Sequence, residues 1–262
     1  MNAVREAAVA GLFYPEQPVR LRHAVGRLLA RNETIPPAPT PRALIVPHAG
    51  YVYSGDVAAR AYGLLSASRA QVRRVAVLGP AHRVRLEGMA IPSSSAFETP
   101  LGRINLDRAG LARIADLPGV VVADDAHRFE HSLEVQLPFL QVVLGSFDLV
   151  PVAVGCAAPE RVAAVVDTLA EQPDTLFVLS SDLSHFLDYE HARAADERTR
   201  DKILARSTSL TGEEACGAGV INGFMSSRAA ATLSVELLEL CNSGDTTGDR
   251  DRVVGYASFV VH

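Results

Sequence analysis

The sequence predicts a three-layer α/β domain with a mainly parallel, mixed central sheet and helices on both faces, and three observations carry that expectation. Apolar runs of strand length alternate with amphipathic stretches of helix length. The runs are nearly continuous rather than alternating, as in strands buried on both faces. Polar residues gather just beyond the runs, where open α/β sheets hold their ligands. The chain has 262 residues, 48% of them hydrophobic and 21% charged, enough apolar material for a sizeable core. No composition break follows residue 41, so a single domain over residues 1–262 is expected.

The elements follow in order. Residues 35–41 carry four prolines and cannot be helical, which makes them a rigid lead-in. Residues 43–46 read as a buried strand, His48-Ala49-Gly50 as a turn and residues 56–65 as a helix. The next strand, residues 75–78, breaks at Gly79-Pro80 and delivers His82 just beyond. Pro100-Leu101-Gly102 separates two short pieces of a hairpin, so the sheet is mixed. A helix over residues 106–117 opens at Asp107, residues 120–122 form a strand, and residues 133–144 form a helix with Pro138 near its start. Strands at 149–154 and 176–180 flank a helix over 159–170, in which Pro159 occupies the tolerated first turn. A polar helix over 188–206, a glycine-broken stretch over 216–223, a helix over 227–240 and a closing strand over 253–261 complete the reading.

Charge and composition exclude several function classes. A net charge of -5 supplies no surplus of basic groups for nucleic acid or anionic lipid. No apolar stretch reaches the roughly 18 to 20 residues of a spanning helix, and Arg5 and Glu6 interrupt the N-terminal piece where a secretory signal needs an apolar run. A cytoplasmic protein is expected. Three widely spaced cysteines, Cys156, Cys216 and Cys241, write neither a disulfide framework nor a C-x-x-C motif. Cys156 reads as a small core hydrophobe, while Cys216, beside a glycine, stays open.

Three strands are followed by histidine: residues 43–46 by His48, residues 75–78 by His82, and residues 176–180 by Asp182 and His185. If these strands are parallel neighbours, the three imidazoles meet at one edge of the sheet, and imidazole is the commonest protein ligand for zinc, iron and copper. Asp182 is placed to orient His185 or to cap the following turn. His127-Arg128-Phe129-Glu130-His131 matches the H-x-x-E-H pattern of some zinc peptidases. The apolar run begins only at Leu133, so the pentapeptide straddles a loop and a helix start, which argues against that chemistry. His131 and Glu134 are expected to face the pocket. The sequence contains no G-x-S-x-G elbow, P-loop or G-x-G-x-x-G fingerprint, against a serine hydrolase, a P-loop NTPase or a Rossmann dehydrogenase.

Pro47-His48-Ala49-Gly50-Tyr51-Val52-Tyr53-Ser54-Gly55, Gly79-Pro80-Ala81-His82, the segment from Glu130 to Phe139 and Ser180-Ser181-Asp182-Leu183-Ser184-His185 together resemble the Memo family, called AmmeMemoRadiSam system protein B in bacteria. Gly11-Leu12-Phe13-Tyr14-Pro15, Cys216-Gly217 and Cys241 also look like family positions, so the likeness runs across nearly the whole chain. The resemblance implies a fold similar to class III extradiol ring-cleaving dioxygenases. It further implies His48, His82 and Cys241 as metal ligands, with His185 as proton shuttle and Asp182 its partner. A sulfur ligand in place of the dioxygenase carboxylate softens the site toward copper(I) or zinc. Three functions are thereby in view: an iron or copper redox enzyme acting with a radical-SAM partner, a non-catalytic protein that holds a peptide, phospho-ligand or small molecule in the same pocket, and a zinc hydrolase.

Overall fold

The computed structural model of the chain describes residues 3–31 and 40–262. Residues 35–39 of the expected lead-in lie outside the described residues. The strands are β1 (Val4–Arg5), β2 (Ala43–Val46), β3 (Arg74–Pro80), β4 (Met89–Ile91), β5 (Ala96–Thr99) and β6 (Gly102–Asn105). They continue with β7 (Val120–Val122), β8 (Asp148–Val154), β9 (Thr175–Ser180), β10 (His185–Leu187), β11 (Val235–Asn242) and β12 (Val253–Val261). The helices are α1 (Pro18–Ala30), α2 (Tyr51–Gly63), α3 (Arg108–Ala115), α4 (Asp125–Arg128) and α5 (Leu137–Leu144). They continue with α6 (Pro159–Ala170), α7 (Tyr189–Leu204), α8 (Ala218–Ser226) and α9 (Ser243–Thr247).

The architecture is a three-layer α/β fold around a nine-stranded mixed sheet ordered β10-β12-β2-β9-β3-β8-β4-β7, with β11 paired to β12. Its centre, β2, β9, β3 and β8, is parallel, and antiparallel pairs lie on both flanks, β12 on β2 and β4 on β8. Every residue of β2 and β9 is buried, as continuous Val, Leu, Ile and Phe runs require of strands covered twice. Helices α1, α2 and α5 pack together as one group, and α3, α6 and α8 as another. Asp107 caps α3 by accepting from the Gly110 amide, and Asp188 caps α7 by accepting from the His191 amide. Among the described residues no helix is long and apolar enough to cross a membrane.

Three expectations need correction. The hairpin around Pro100-Leu101-Gly102 forms, but β5 and β6 join β1 in a separate three-stranded sheet. Residues 227–240 do not make a helix. From Val235 the chain is strand β11, antiparallel to β12 and covered by α2 and α7, so pairing and packing override the helix-favouring Leu and Glu content. Cys156 is exposed rather than buried in the core, because its backbone pairs with Leu86 and Gly88 at the end of the β8 edge.

One long-range tie brings the N-terminal segment to the middle of the chain. The Arg5 side chain, on β1, donates from Nε to the His127 carbonyl at 2.9 Å and from Nη2 to the Glu130 carbonyl at 2.7 Å. Its Nη1 pairs with Glu134, whose side chain is fully buried. Glu134 also accepts from the Ala8 and Val9 amides and from the Tyr14 hydroxyl. Removing the cation strands a buried carboxylate, so Arg5→Met is expected to lower unfolding stability by about 3–5 kcal/mol in urea denaturation.

Candidate metal centre

Strands β2, β9 and β3 are parallel neighbours, so their carboxyl ends open on one edge of the sheet. His48 follows β2, His82 follows β3, and Ser180 ends β9. His131 arrives from a fourth piece of chain, between α4 and α5. Each of His48, His82 and His131 offers a ring nitrogen within 4.8 Å of the other two. The ring centroids lie 5.1 Å apart for His48 and His82, 5.4 Å for His48 and His131, and 4.8 Å for His82 and His131. His48 is buried, His131 half-buried and His82 exposed, so the cluster runs from the core to solvent.

The neighbours of two rings fix which nitrogen is free. Gln136 donates from Nε2 to the Pro47 carbonyl and to Ser180 Oγ, while its Oε1 accepts from the Tyr62 hydroxyl. Ser180 spends its one proton on the Ser132 carbonyl at 2.6 Å. His48 Nδ1, 2.8 Å from Ser180 Oγ, must therefore be the donor of that bond, which leaves the lone pair on Nε2. His82 Nδ1 is 3.0 Å from Glu130 Oε1, a carboxylate that only accepts, so its lone pair is also on Nε2. His131 has a buried Nδ1 without a hydrogen-bond partner. Its ring leans on Phe13 with centroids 4.8 Å apart.

Burial disfavours the charged form of His48 and His131, and a neutral imidazole is the form that binds metal. Burial, with the neighbouring His82 and His131, drives the His48 pKa well below the usual imidazole range. Burial lowers His131 to about 4, and it also lowers His185. Burial would raise Glu130, but its hydrogen bonds from the His82 ring and the Ser132 amide outweigh that and hold it down to about 2. Asp182 moves the other way: burial pushes it up to about 7 despite the His48 amide.

A thiol adjoins the buried member of the cluster, His48, without joining the three-histidine group. Cys216 Sγ lies 3.2 Å from His48 Nε2 and accepts from the Asp182 amide at 3.3 Å. Since His48 Nε2 carries a lone pair, the sulfur is the donor between them. Burial and the Asp182 charge push this thiol up to about 12. The turn that delivers it requires glycine at 217, because a Cβ there would come within 2.5 Å of the Ser180 carbonyl oxygen.

The residues singled out from sequence divide accordingly. His48 and His82 come together, His131 joins them, and neither Cys241 nor His185, which opens β10, belongs to the cluster. Cys241 stands on β11 opposite Tyr256, and burial with the charges of Asp245, Glu239 and Asp56 raises its thiol to about 12. Among the described residues the potential ligand cluster contains the three histidines and not Cys241. The Asp182 carboxylate serves the His48 loop, accepting from the His48 amide at 2.7 Å and lying 3.9 Å from its Nε2. Glu134 turns to Arg5 and the N-terminal segment instead of the pocket. The H-x-x-E-H histidines do not share a helix: α4 stops at Arg128, and His127 pairs with the Ala90 carbonyl away from the cluster. Sequence reasoning missed Ser180, Gln136 and the part played by Glu130; the signal was the run of polar residues 180–182 and the Glu-His-Ser triplet 130–132.

The donor set fits a transition metal: three imidazoles, two with lone pairs oriented on Nε2, and a sulfur beside His48. His48→Ala and His82→Ala are each expected to abolish stoichiometric metal uptake measured by elemental analysis after anaerobic loading, while Cys241→Ser retains it. Ser180→Ala, which removes the acceptor that orients His48, is expected to weaken metal affinity by about tenfold or more in chelator competition.

Comparison with known proteins agrees with this arrangement of chain. The family profile described as Memo-like protein matches residues 5–260. A MEMO1 family protein of Methanothermobacter thermautotrophicus is 34% identical over 274 residues, covering 97% of this chain and 99% of its own. One from Aquifex aeolicus is 34% identical over 275 residues, covering 98% of both chains. One from Methanosarcina acetivorans is 36% identical over 279 residues, covering 98% of this chain and 99% of its own. The crystal structure of an uncharacterized protein from Escherichia coli K12 has the same fold, with a TM-score of 0.53 at 12% identity, over 84% of this chain and 99% of that one. With its sequence matched end to end by these relatives and its histidines gathered at one sheet edge, the chain belongs to the Memo-like family.

Proposed function

We propose that this chain is a metal-dependent redox protein of the cytoplasm, holding iron or copper on His48 and His82 with His131 as the third imidazole and Cys216, in place of Cys241, as the neighbouring sulfur. The observation that carries the reading is the approach of three ring nitrogens to within 4.8 Å in a cluster that runs from the buried His48 to the exposed His82. Bound iron or copper supplies electron transfer and Lewis acidity. The residues do the rest. Ser180 and Glu130 orient the two imidazoles whose lone pairs are fixed. Asp182 secures the His48 loop. His185 is the proton carrier: it is half-buried and lies close enough to His48 and His82 for their charges to act on one another. A radical-SAM protein is the proposed partner, on the likeness to the bacterial family members alone.

Oxygen consumption tests the reaction. Protein purified without oxygen and loaded with iron(II) or copper(I) is expected to take up oxygen with a panel of catechols. In His185→Ala that rate is expected to fall by about 100-fold or more with metal content unchanged. Tight metal binding with no uptake for any diol would favour a non-catalytic binding protein, and hydrolytic activity restored by zinc alone would favour a zinc hydrolase.

A further inference from the structure

Glu130 is 1% exposed, and four donors end on its carboxylate. Oε2 accepts from the His82 amide at 2.6 Å, and Oε1 accepts from His82 Nδ1 at 3.0 Å and from the His131 and Ser132 amides at 2.9 Å each. It thus joins the loop after β3 to the segment that carries His131. A buried carboxylate normally has a cation beside it. Among the described residues no lysine or arginine pairs with this one: the Arg5 guanidinium reaches only the Glu130 carbonyl and pairs with Glu134. The ionisable groups paired with the Glu130 carboxylate are the rings of His82 and His131, two members of the cluster.

We propose that Glu130 is a positioning residue whose unneutralised charge is balanced by the metal through His82, and that this charge makes the centre favour a divalent cation over copper(I). The Nδ1–H to carboxylate bond makes His82 a stronger donor, as a carboxylate behind a ligating imidazole does generally. Coulomb energy scales with the charge of the ion, so the same carboxylate stabilises a divalent cation about twice as much as a monovalent one at the same place. A purely structural clamp would treat both ions alike. This inference rests on the metal reading above.

The test is anaerobic chelator competition with cobalt(II) and copper(I) on the full chain, with circular dichroism to verify the fold. Glu130→Gln is expected to weaken cobalt(II) binding by about 10- to 100-fold. Copper(I) binding should weaken only by about the square root of that factor. Glu130→Asp keeps the charge and is expected to preserve the wild-type ratio of the two affinities even where both decline. It carries the test if the glutamine variant does not fold. Equal losses for both ions in Glu130→Gln, no loss for either, or a shifted ratio in Glu130→Asp would each overturn the proposal. Wild-type protein that binds neither ion would overturn the metal reading and this inference together, a result distinct from equal losses.

Discussion

The histidine cluster depends on the parallel pairing of β2, β9 and β3. In this register Val46 stands opposite Ser180 and Leu78 opposite Leu179, so the three strands end level with one another. Whatever follows them must emerge at one edge, because parallel strands share a direction and their connections return on the faces of the sheet. His48, His82 and Asp182 are therefore neighbours for a topological reason before any side-chain contact is made. The apolar content of the strands enforces the pairing: a shift in register would expose residues that are now buried on both sides.

Proximity at the sheet edge does not by itself orient a ring. Orientation comes from hydrogen bonds that leave His48 and His82 one choice of protonated nitrogen each. The two anchors differ in kind. His48 is held by a neutral chain running from Tyr62 through Gln136 to Ser180, deep in the core. His82 is held by the carboxylate of Glu130 near the surface. One anchor is a matter of geometry, and the other adds charge.

The N-terminal segment supports this arrangement from outside the main sheet. Arg5 binds the carbonyls of His127 and Glu130 and the side chain of Glu134. These contacts hold residues 127–134 in a conformation that neither extends α4 nor starts α5 early. The H-x-x-E-H spacing consequently never becomes a helical face. Its glutamate points at the amides of its own loop and at His82, while its two histidines go to different places.

Local signals in the sequence determined the fold class, most elements and the place of all three clustered histidines at the pocket. Continuous apolar runs name buried strands without reference to anything distant, and a residue placed just after such a run is confined to the ligand-bearing edge. His48 and His82 were legible for that reason, and Asp107 was legible as the start of its helix because a cap acts within one turn. The sulfur partner was not legible. Cys216 and Cys241 are both lone thiols near the end of the chain, and the choice between them rests on whether residues 235–242 pair with β12 or coil, which strand pairing decides. Nor could the sequence reveal that Glu130 faces His82 while Glu134 faces Arg5, since both lie within five residues of the same segment and differ only in the contacts that distant parts of the chain bring to them.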